Sequence, residues 1–321
     1  MKKGLIALIV GLGAHLFGVQ IPKNMPQMIV SIEVANTPLE QAQGMGAYRS
    51  AGTGFFVSPD THKPFRPVMI TAKHVLEGAC QASNTVYLRH ITSPKDANGN
   101  VLRYELKICE RILATSPDGT PLKAPDGSPI ITTRPLWIPH PSADLAAMRL
   151  PQGPNVPSGI MTYSPSEIVN DEFQKKWEIG ASDETFILTF HPGVIQGEPS
   201  SPVIRHGTIA SFSEGSDTFL VDSFIFPGNS GSPVILKPTV LNLINNTFNA
   251  LGEVRQAYLI GVVVAYIPYT DIAISPQTQR ARITFEENSG LVRVVRAEKV
   301  SELLNIVANI MGQQPTASSA Q

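Results

Sequence analysis

The sequence predicts an all-β protein, built as a barrel or a sandwich, with one helix near its C-terminus. Short runs rich in β-branched and aromatic residues recur between turn-forming prolines and glycines, which number 27 and 25. Many short strands separated by turns are typical of a β-barrel or a β-sandwich. The predicted strands are 54–57, 67–71, 85–88, 144–148, 185–188, 218–221 and 258–264.

The segments between these strands contain turn and helix signals. Asn98-Gly99 lies between two strand-like runs and predicts a hairpin turn, because both residue types tolerate positive φ. Residues 151–166 are rich in Pro, Gly and Ser, which suits a crossover between two sub-cores. Apolar residues recur at helical spacing over 297–311 and predict an amphipathic closing helix, whereas the tail 313–321 is expected to be disordered.

Length and charge restrict the classes of protein to consider. A chain of 321 residues with 42% hydrophobic composition can bury a large core, as one domain with two sub-cores or as two domains. The formal net charge is -1, with 25 basic and 26 acidic residues. Because no basic field is indicated, nucleic acid is not an expected partner. The oligomeric state does not follow from the sequence.

The N-terminus has the pattern of a secretory signal. Two lysines precede an apolar run over 4–19, which is the order of charged and hydrophobic regions in a signal peptide. We expect a signal peptide over 1–18, an N-terminal extension over 19–46, and a periplasmic or extracellular location. An uncleaved membrane anchor and a buried helix are the alternatives for this run, and contact with a membrane is expected only with the anchor.

The two cysteines, Cys80 and Cys109, leave two interpretations open. They can pair in an oxidising compartment, although one bridge in a chain of this size is not a disulfide framework. They can equally be two separate buried thiols that behave as small apolar residues.

Three short motifs together indicate acyl-transfer chemistry. Attack on an amide requires a nucleophile, a base, a group that orients the base, and donors for the oxyanion. Ser230 lies in Gly-Asn-Ser-Gly-Ser-Pro, His74 follows Thr-Ala-Lys, and Asp144 lies in Ala-Asp-Leu-Ala. The order His, Asp, Ser differs from that of α/β-hydrolases, in which the nucleophile comes first. Each residue alone has a simpler interpretation, as a strand-end histidine, a surface aspartate or a turn serine.

The motifs around His74, Asp144 and Ser230, in this order, are accompanied by Gly-Thr-Gly-Phe at 52–55 and Arg-His-Gly-Thr-Ile at 205–209. With these motifs the chain resembles the chymotrypsin-fold, trypsin-like serine peptidases. Within them it is most similar to the bacterial HtrA/Deg type. The resemblance implies a protease domain over 47–312 made of two six-stranded antiparallel β-barrels, at about 47–150 and 165–296, followed by the closing helix. It also implies a protein or peptide substrate and no cofactor or metal.

The resemblance assigns a role to each motif residue. His74 is expected to act as general base and then general acid, Asp144 to orient its imidazole, and Ser230 to form the acyl-enzyme. The backbone amides of Gly228 and Ser230 are expected to form the oxyanion hole. Glycine suits position 228, because a side chain there would crowd the substrate carbonyl.

The same resemblance implies a primary specificity pocket. The residue six before the nucleophile, at the base of that pocket, is Phe224. The strand Gly261-Val262-Val263-Val264-Ala265 resembles the pocket wall that also pairs with the substrate backbone. No carboxylate is available at the base of the pocket to receive Lys or Arg. We therefore expect a small or medium apolar side chain before the scissile bond.

Departures from the family pattern limit these inferences. Lys73 precedes the histidine where a small residue is usual, and Ser232 replaces a glycine. On the assumption that residue 73 lies in a strand, we expect the Lys73 side chain to point away from His74. No peptide-binding domain of the kind that HtrA/Deg relatives append is expected after residue 296.

Two other interpretations remain. The chain can act on a different ester or amide with the same residues, since a fold does not define a substrate. It can also be a catalytically silent binding or chaperone-like module on a protease scaffold, with a collapsed oxyanion loop. His191 and His206 show no spacing typical of metal ligands and are expected to be loop or strand-edge residues.

Overall fold

The chain folds into two antiparallel β-structures followed by a C-terminal helix. The structure, a computed structural model, describes residues 21–59, 67–151, 157, 159–191, 202–244 and 247–312. The expected signal peptide over 1–18 and the tail over 313–321 lie outside these residues. Within the described ranges, no helix is both long and apolar enough to span a membrane.

The first half forms a curled sheet. Its strands, together with a separate hairpin, are β1 (Ile29–Ala35), β2 (Tyr48–Val57), β3 (Val68–Thr71), β4 (Thr85–His90), β5 (Tyr104–Lys107), β6 (Cys109–Leu113), β7 (Ile131–Pro135), β8 (Ile138–Pro139) and β9 (Ala146–Arg149). Seven of them pair in the order β5-β4-β1-β2-β3-β9-β8, while β6 and β7 pair with each other. The first sheet is therefore a curled half-barrel and not the closed six-stranded barrel that was expected.

Strand β1 lies within residues 19–46, the segment expected to be an N-terminal extension. It pairs antiparallel with β2, from Ile29 opposite Phe55 to Ala35 opposite Tyr48, and with β4 on its other side. Ile29 and Ile32 are fully buried in the core. A central strand buried between two neighbours belongs to the sheet, so the first sheet includes residues before 47. The run 29–35 was not predicted as a strand from the sequence.

The second half is a closed six-stranded barrel. Its strands and an additional hairpin are β10 (Glu184–Thr189), β11 (Val203–Ser211), β12 (Thr218–Asp222), β13 (Pro233–Leu236), β14 (Thr239–Ile244), β15 (Thr247–Arg255), β16 (Leu259–Ile274) and β17 (Ala281–Arg296). The barrel closes in the order β10-β11-β12-β17-β16-β13, with β13 pairing back to β10. Strands β14 and β15 form a separate hairpin.

The described residues include four α-helices beside the sheets: α1 (Pro38–Ala42), α2 (Lys73–Ala82), α3 (Asp171–Lys176) and α4 (Ala297–Gly312). Helix α4 confirms the predicted closing helix. Its apolar face, which includes Val300, Leu303 and Val307, is buried in a core shared with both β-structures. The chymotrypsin-like, mostly β architecture with a C-terminal helix is confirmed.

Two local features bear on the sequence predictions. Gly99 has φ +82, and its amide donates to the Asp96 carbonyl, in the connection between the antiparallel pair β4 and β5. The predicted turn at Asn98-Gly99 is therefore confirmed. Cys80 of α2 and Cys109 of β6 form a disulfide, with 6.2 Å between their Cα atoms. This bond joins α2 to the start of the β6 and β7 hairpin.

Candidate active site

His74 lies in the first turn of helix α2, where backbone amides lack helical partners. Strand β3 ends at Thr71, and the N-cap residue Ala72 makes no capping hydrogen bond. The first amides of a helix require acceptors from elsewhere. Asp144 supplies one of them, since its Oδ1 accepts the His74 backbone N–H at 3.0 Å. The carboxylate thus stabilises the N-terminus of the helix that carries the histidine.

The second oxygen of the same carboxylate contacts the His74 ring. Asp144 Oδ2 lies 2.6 Å from His74 Nδ1. An ionised carboxylate only accepts hydrogen bonds, so this contact assigns a proton to Nδ1 and leaves Nε2 of the neutral ring as an acceptor. The ring is about half exposed, so its free edge is open to a substrate.

The environment of Asp144 keeps its carboxyl ionised. Burial raises its pKa, but the hydrogen bond and positive charge of His74, its backbone N–H and the charge of Lys73 together outweigh burial and lower the pKa below the ordinary value. Residue 73 belongs to a helix, so the expectation based on a strand is wrong. The Lys73 charge acts on the carboxylate that contacts His74.

Ser230 lies at the end of a turn that Asn229 holds from inside. Asn229 is fully buried; its Oδ1 accepts the Phe226 amide at 2.8 Å, and its Nδ2 donates to the Phe190 carbonyl at 2.8 Å. The Asn229 amide also donates to the Phe226 carbonyl at 3.0 Å. The turn is therefore fixed both within itself and to the segment that follows β10.

The turn docks onto strand β2 of the first sheet. The Thr53 amide donates to the Ser230 carbonyl at 2.8 Å, and Thr53 Oγ1 donates to the Gly228 carbonyl at 3.1 Å. Gly52 brings the partners together, because a Cβ there would lie 2.7 Å from the Val75 methyls and 3.0 Å from the Ser230 carbonyl oxygen. The Ser230 backbone thus lies close to the residue that follows His74. The Gly-Thr-Gly motif was the sequence signal for this contact, although no docking role was assigned to it.

The Ser230 side chain points to a carbonyl and not to the histidine. Its Oγ donates to the Val264 carbonyl at a distance of 3.5 Å, which is a weak hydrogen bond. No hydrogen bond joins this Oγ to the His74 ring among the described residues. The structure thus pairs His74 with Asp144 and brings the Ser230 backbone beside them, with the hydroxyl bonded to the Val264 carbonyl.

The two amides expected to form an oxyanion hole are free of backbone partners. Gly228 has φ +95, a conformation that glycine adopts without strain, and its carbonyl is held by Thr53. Within the described part of the chain, neither the Gly228 nor the Ser230 amide donates to a backbone carbonyl. Both N–H groups are thus available for another acceptor.

A comparison with protein families gives a match for this arrangement of residues. The model of the trypsin-like peptidase domain matches residues 52–238, which is more than half of the chain and includes His74, Asp144 and Ser230. The chain belongs to the trypsin-like peptidase family. A comparison with curated proteins finds no match. A peptidase of this family acts on proteins or peptides.

The residues expected to line the pocket of this trypsin-like peptidase separate into two groups. Phe224 is 57% exposed, and its ring lies 3.6 Å from the position of a Cβ built on Gly290. Gly261, Val262 and Val263 instead lie inside the barrel, and both valines are fully buried. The side chains of both valines therefore lie in the core, and the wall role of this strand stays a prediction. The register along β16 was not readable from its apolar run.

Strand β16 becomes partly exposed from Ala265 onward. Gly231 donates to the Val263 carbonyl at 2.7 Å and Val263 donates to the Ser232 carbonyl at 2.9 Å, which ties β16 to the turn that carries Ser230. The carbonyl of the buried Val264 accepts from the Ser230 hydroxyl, and the next residues, Ala265 and Tyr266, are partly exposed. The expected pocket wall already included Val264 and Ala265, whereas Tyr266 was not predicted to take part.

Proposed function

We propose that this trypsin-like peptidase is an exported serine endopeptidase that cleaves peptide bonds through an acyl-enzyme. The observation that carries the proposal is the two-point contact of Asp144 with His74, beside a serine turn docked on Thr53. It supplies the orienter, the base and the nucleophile that acyl transfer requires.

The reaction follows from the atoms in place. Ser230 Oγ rotates away from the Val264 carbonyl, attacks the substrate carbonyl carbon and transfers its proton to His74 Nε2. The amides of Gly228 and Ser230 donate to the oxyanion of the tetrahedral intermediate. Nε2 then protonates the leaving amine as the C–N bond breaks, and an acyl-enzyme on Ser230 remains. Water then attacks the acyl carbon of the acyl-enzyme while Nε2 takes one of its protons. The ester bond to Ser230 Oγ breaks as Nε2 returns that proton to Oγ, and the carboxylic acid product leaves.

Asp144 stabilises the protonated ring during these steps. When Nε2 takes the serine proton, the imidazolium charge lies next to a carboxylate whose pKa is lowered and which stays ionised. Hydrogen bonds to charged groups are about twice as strong as neutral ones. The contact at Nδ1 therefore becomes stronger as the transition state is approached, which is a property of a catalytic interaction.

The surface beside Ser230 favours an apolar residue before the scissile bond. Phe224 presents an exposed aromatic ring near Gly290 of β17. Val264, Ala265 and Tyr266 lie on the neighbouring strand β16. Asp222 Oδ1 lies 3.8 Å from the position of a Cβ on Gly290, but Phe224 occupies the same side. A peptide-library digest tests this specificity, and dominant cleavage after Lys or Arg would refute it.

Export and the similarity to the HtrA/Deg type are part of the proposal. The disulfide between Cys80 and Cys109 supports export, because structural disulfides persist in oxidising compartments. N-terminal sequencing of the mature protein from a cell fractionation tests the processing, and recovery of the protein only in the cytoplasm would contradict export.

The catalytically silent binding module is not favoured. That alternative requires a collapsed oxyanion loop, whereas the Gly228 carbonyl is bonded to Thr53 on the side of the first sheet and the Gly228 and Ser230 amides have no backbone partner among the described residues.

A fluorophosphonate probe tests the proposal directly. We expect covalent labelling of the wild type, its loss in Ser230→Ala, and its strong reduction in His74→Ala. The matched control is Ser232→Ala, a buried serine two residues away whose hydroxyl has no hydrogen-bond partner and whose loss should leave labelling intact. Absence of labelling in a folded wild type, or equal labelling of Ser230→Ala, would refute the proposed nucleophile.

A further inference from the structure

Asp144 lies in a tight turn between two strands. Strand β8 ends at Pro139 and β9 begins at Ala146. The His140 amide donates to the Leu145 carbonyl at 2.8 Å, and the Leu145 amide donates to the Ala143 carbonyl at 2.8 Å. The position of the carboxylate therefore depends on how the residues between His140 and Leu145 are held.

The His140 side chain accepts hydrogen bonds from the interior of this turn. Its ring is 1% exposed, and Nδ1 accepts the amides of Ala143 at 2.9 Å and Ser142 at 3.2 Å. A ring nitrogen that accepts carries no proton, so the proton of the ring lies on Nε2. The ring thus acts as an internal acceptor for the two amides that immediately precede Asp144.

The other edge of the ring is bonded to the closing helix. His140 Nε2 lies 3.1 Å from Glu302 Oε2 on α4, where it donates to the carboxylate. Lys299, one turn earlier on the helix, donates to Glu302 Oε1 at 2.9 Å. A carboxylate acceptor at Nε2 stabilises the tautomer in which Nδ1 accepts, which is the form that the turn requires.

We propose that His140 is a positioning residue for Asp144 and that the contact with helix α4 fixes its tautomer. This inference rests on the proposed function, because it assigns to His140 the placement of the carboxylate that orients the base. Both contacts of Asp144 with His74, at 3.0 and 2.6 Å, come from one side chain on this turn. A shift of the turn would lengthen both contacts together, and a misplacement of about 1 Å costs on the order of 100-fold in rate.

The chain contains a second histidine that serves as a matched control. His90 is also buried, its Nδ1 accepts the amide of Thr92 two residues later at 3.2 Å, and its Nε2 bonds to the Gln27 carbonyl at 2.8 Å. His90 Nδ1 also contacts Thr92 Oγ1 at 2.7 Å, and the partner of its Nε2 is a carbonyl and not a carboxylate. The two histidines are thus bonded in a similar way, but the bonds of His90 do not involve the turn that carries Asp144. Loss of His90 therefore reports the effect of removing a buried histidine on stability alone.

The experiment compares His140→Leu, His140→Asn and His90→Leu in the full chain. We expect His140→Leu to lower kcat for a chromogenic peptide substrate by about 100-fold with KM changed by less than about 3-fold, because the turn shifts but the substrate surface remains. His140→Asn should recover most of kcat, since an Asn side-chain oxygen can accept the same amides. His90→Leu should lower Tm with kcat within about 3-fold of the wild type.

A proton NMR spectrum gives a second readout. The His74 Nδ1 proton, in a short hydrogen bond to Asp144, should appear as a far-downfield resonance in the wild type, in His90→Leu and in His140→Asn. It should be lost or broadened in His140→Leu. If His140→Leu does not fold, kcat is compared between His140→Asn and His140→Gln instead. The Gln oxygen lies one methylene further along the side chain, so His140→Gln should have the lower kcat, and equal kcat values would refute the positioning role.

The outcomes separate this inference from the proposed function. A wild type that neither labels with fluorophosphonate nor cleaves peptide refutes the proposed function. A labelled, active wild type with a folded His140→Leu of unchanged kcat and unchanged downfield resonance refutes only the positioning role. The same holds if His140→Asn is as impaired as an equally stable His140→Leu, since the accepted amides would then not be the cause.

Discussion

Replacement of Gly231 by alanine tests how the nucleophile turn is fixed to the first sheet. A Cβ at this position would lie 2.0 Å from the Thr53 carbonyl oxygen and 2.2 Å from Thr71 Oγ1, and Gly231 has φ +86. Thr71 Oγ1 itself donates to the Thr53 carbonyl at 2.7 Å. The new methyl group therefore meets a backbone atom in a buried strand and the side chain bonded to it, and neither can move away without cost.

The magnitude follows from three contributions. A non-glycine residue in the left-handed region costs about 1–2 kcal/mol, and the smaller unfolded-state entropy of alanine returns about 0.4–1 kcal/mol. Overpacking of a tight site costs about 1–3 kcal/mol. Disruption of the hydrogen bond from Thr71 to Thr53 adds about 1 kcal/mol. We expect Gly231→Ala to lower the free energy of unfolding by about 2–6 kcal/mol, the sum of these contributions.

Gly119→Ala is the matched control for this variant. Gly119 also has φ +86, but a Cβ there would meet nothing within 4 Å. It should show only the backbone contribution, about 1 kcal/mol. Denaturant unfolding of both variants measures the difference.

Catalytic activity provides an independent measure of the same contact. To bring the Gly231→Ala methyl group from 2.0 Å to an ordinary contact of at least 3.4 Å, the turn with Ser230 must move by more than 1 Å. We expect kcat/KM to fall by about 100-fold or more, whereas Gly119→Ala should keep wild-type activity. Equal stability and equal activity of the two variants would refute the inference that this contact positions Ser230.

Three further predictions concern charge, tautomer and the disulfide. Asp144→Asn should lower kcat by about 10⁴-fold, because an amide no longer selects the Nδ1-protonated His74 tautomer. Steady-state kinetics with a peptide substrate measure kcat, and a loss below about 10-fold would contradict the orienting role of Asp144. Replacement of Cys80 and Cys109 by serine should lower the free energy of unfolding by about 3.5 kcal/mol, since the disulfide closes a loop of 29 residues. The unfolding curve of the oxidised wild type is the reference, and an unchanged midpoint would show that the disulfide does not stabilise the fold. Burial raises the pKa of Glu298, so the folded state binds the proton of this carboxyl more tightly than the unfolded state does. The free energy of unfolding therefore falls as pH rises from the unfolded pKa through the raised folded pKa. Glu298→Gln should therefore raise Tm at neutral pH, with a difference that disappears in acid; a Tm difference that grows in acid would show the opposite sign.

Local pattern predicted many of the strands well. Runs such as 185–188 and 218–221 became β10 and β12, because alternating and β-branched sequences favour extended backbone whatever their partners. The segment Lys73 to Ala82 was missed as a helix, since the motif around His74 was interpreted as the end of a strand. Its helical N-terminus is stabilised by Asp144, a residue 70 positions away, and no local pattern records such a contact.

The site residues were predicted less evenly than the strands. The His74 and Asp144 pair was predicted from two short motifs, and the structure brings their side chains into contact, while their catalytic roles and that of Ser230 stay predictions. The wall residues Val262 and Val263 were placed from resemblance, and they lie in the core. A continuous apolar run does not reveal which of its residues face inward, because a strand buried on both sides loses the alternation that would show it.

The sequence by itself determined the residue types of the reaction, their order along the chain and the strand-rich composition of the fold, because these depend on local chemistry and local backbone preference. Only the tertiary structure decided that β1 is a central strand, that Thr53 holds the turn with Ser230, and that His140 lies beneath the turn with Asp144. These relations join residues that are distant in sequence or packed inside a turn. Their energies come from burial and hydrogen bonding in three dimensions, so only the folded chain brings them about.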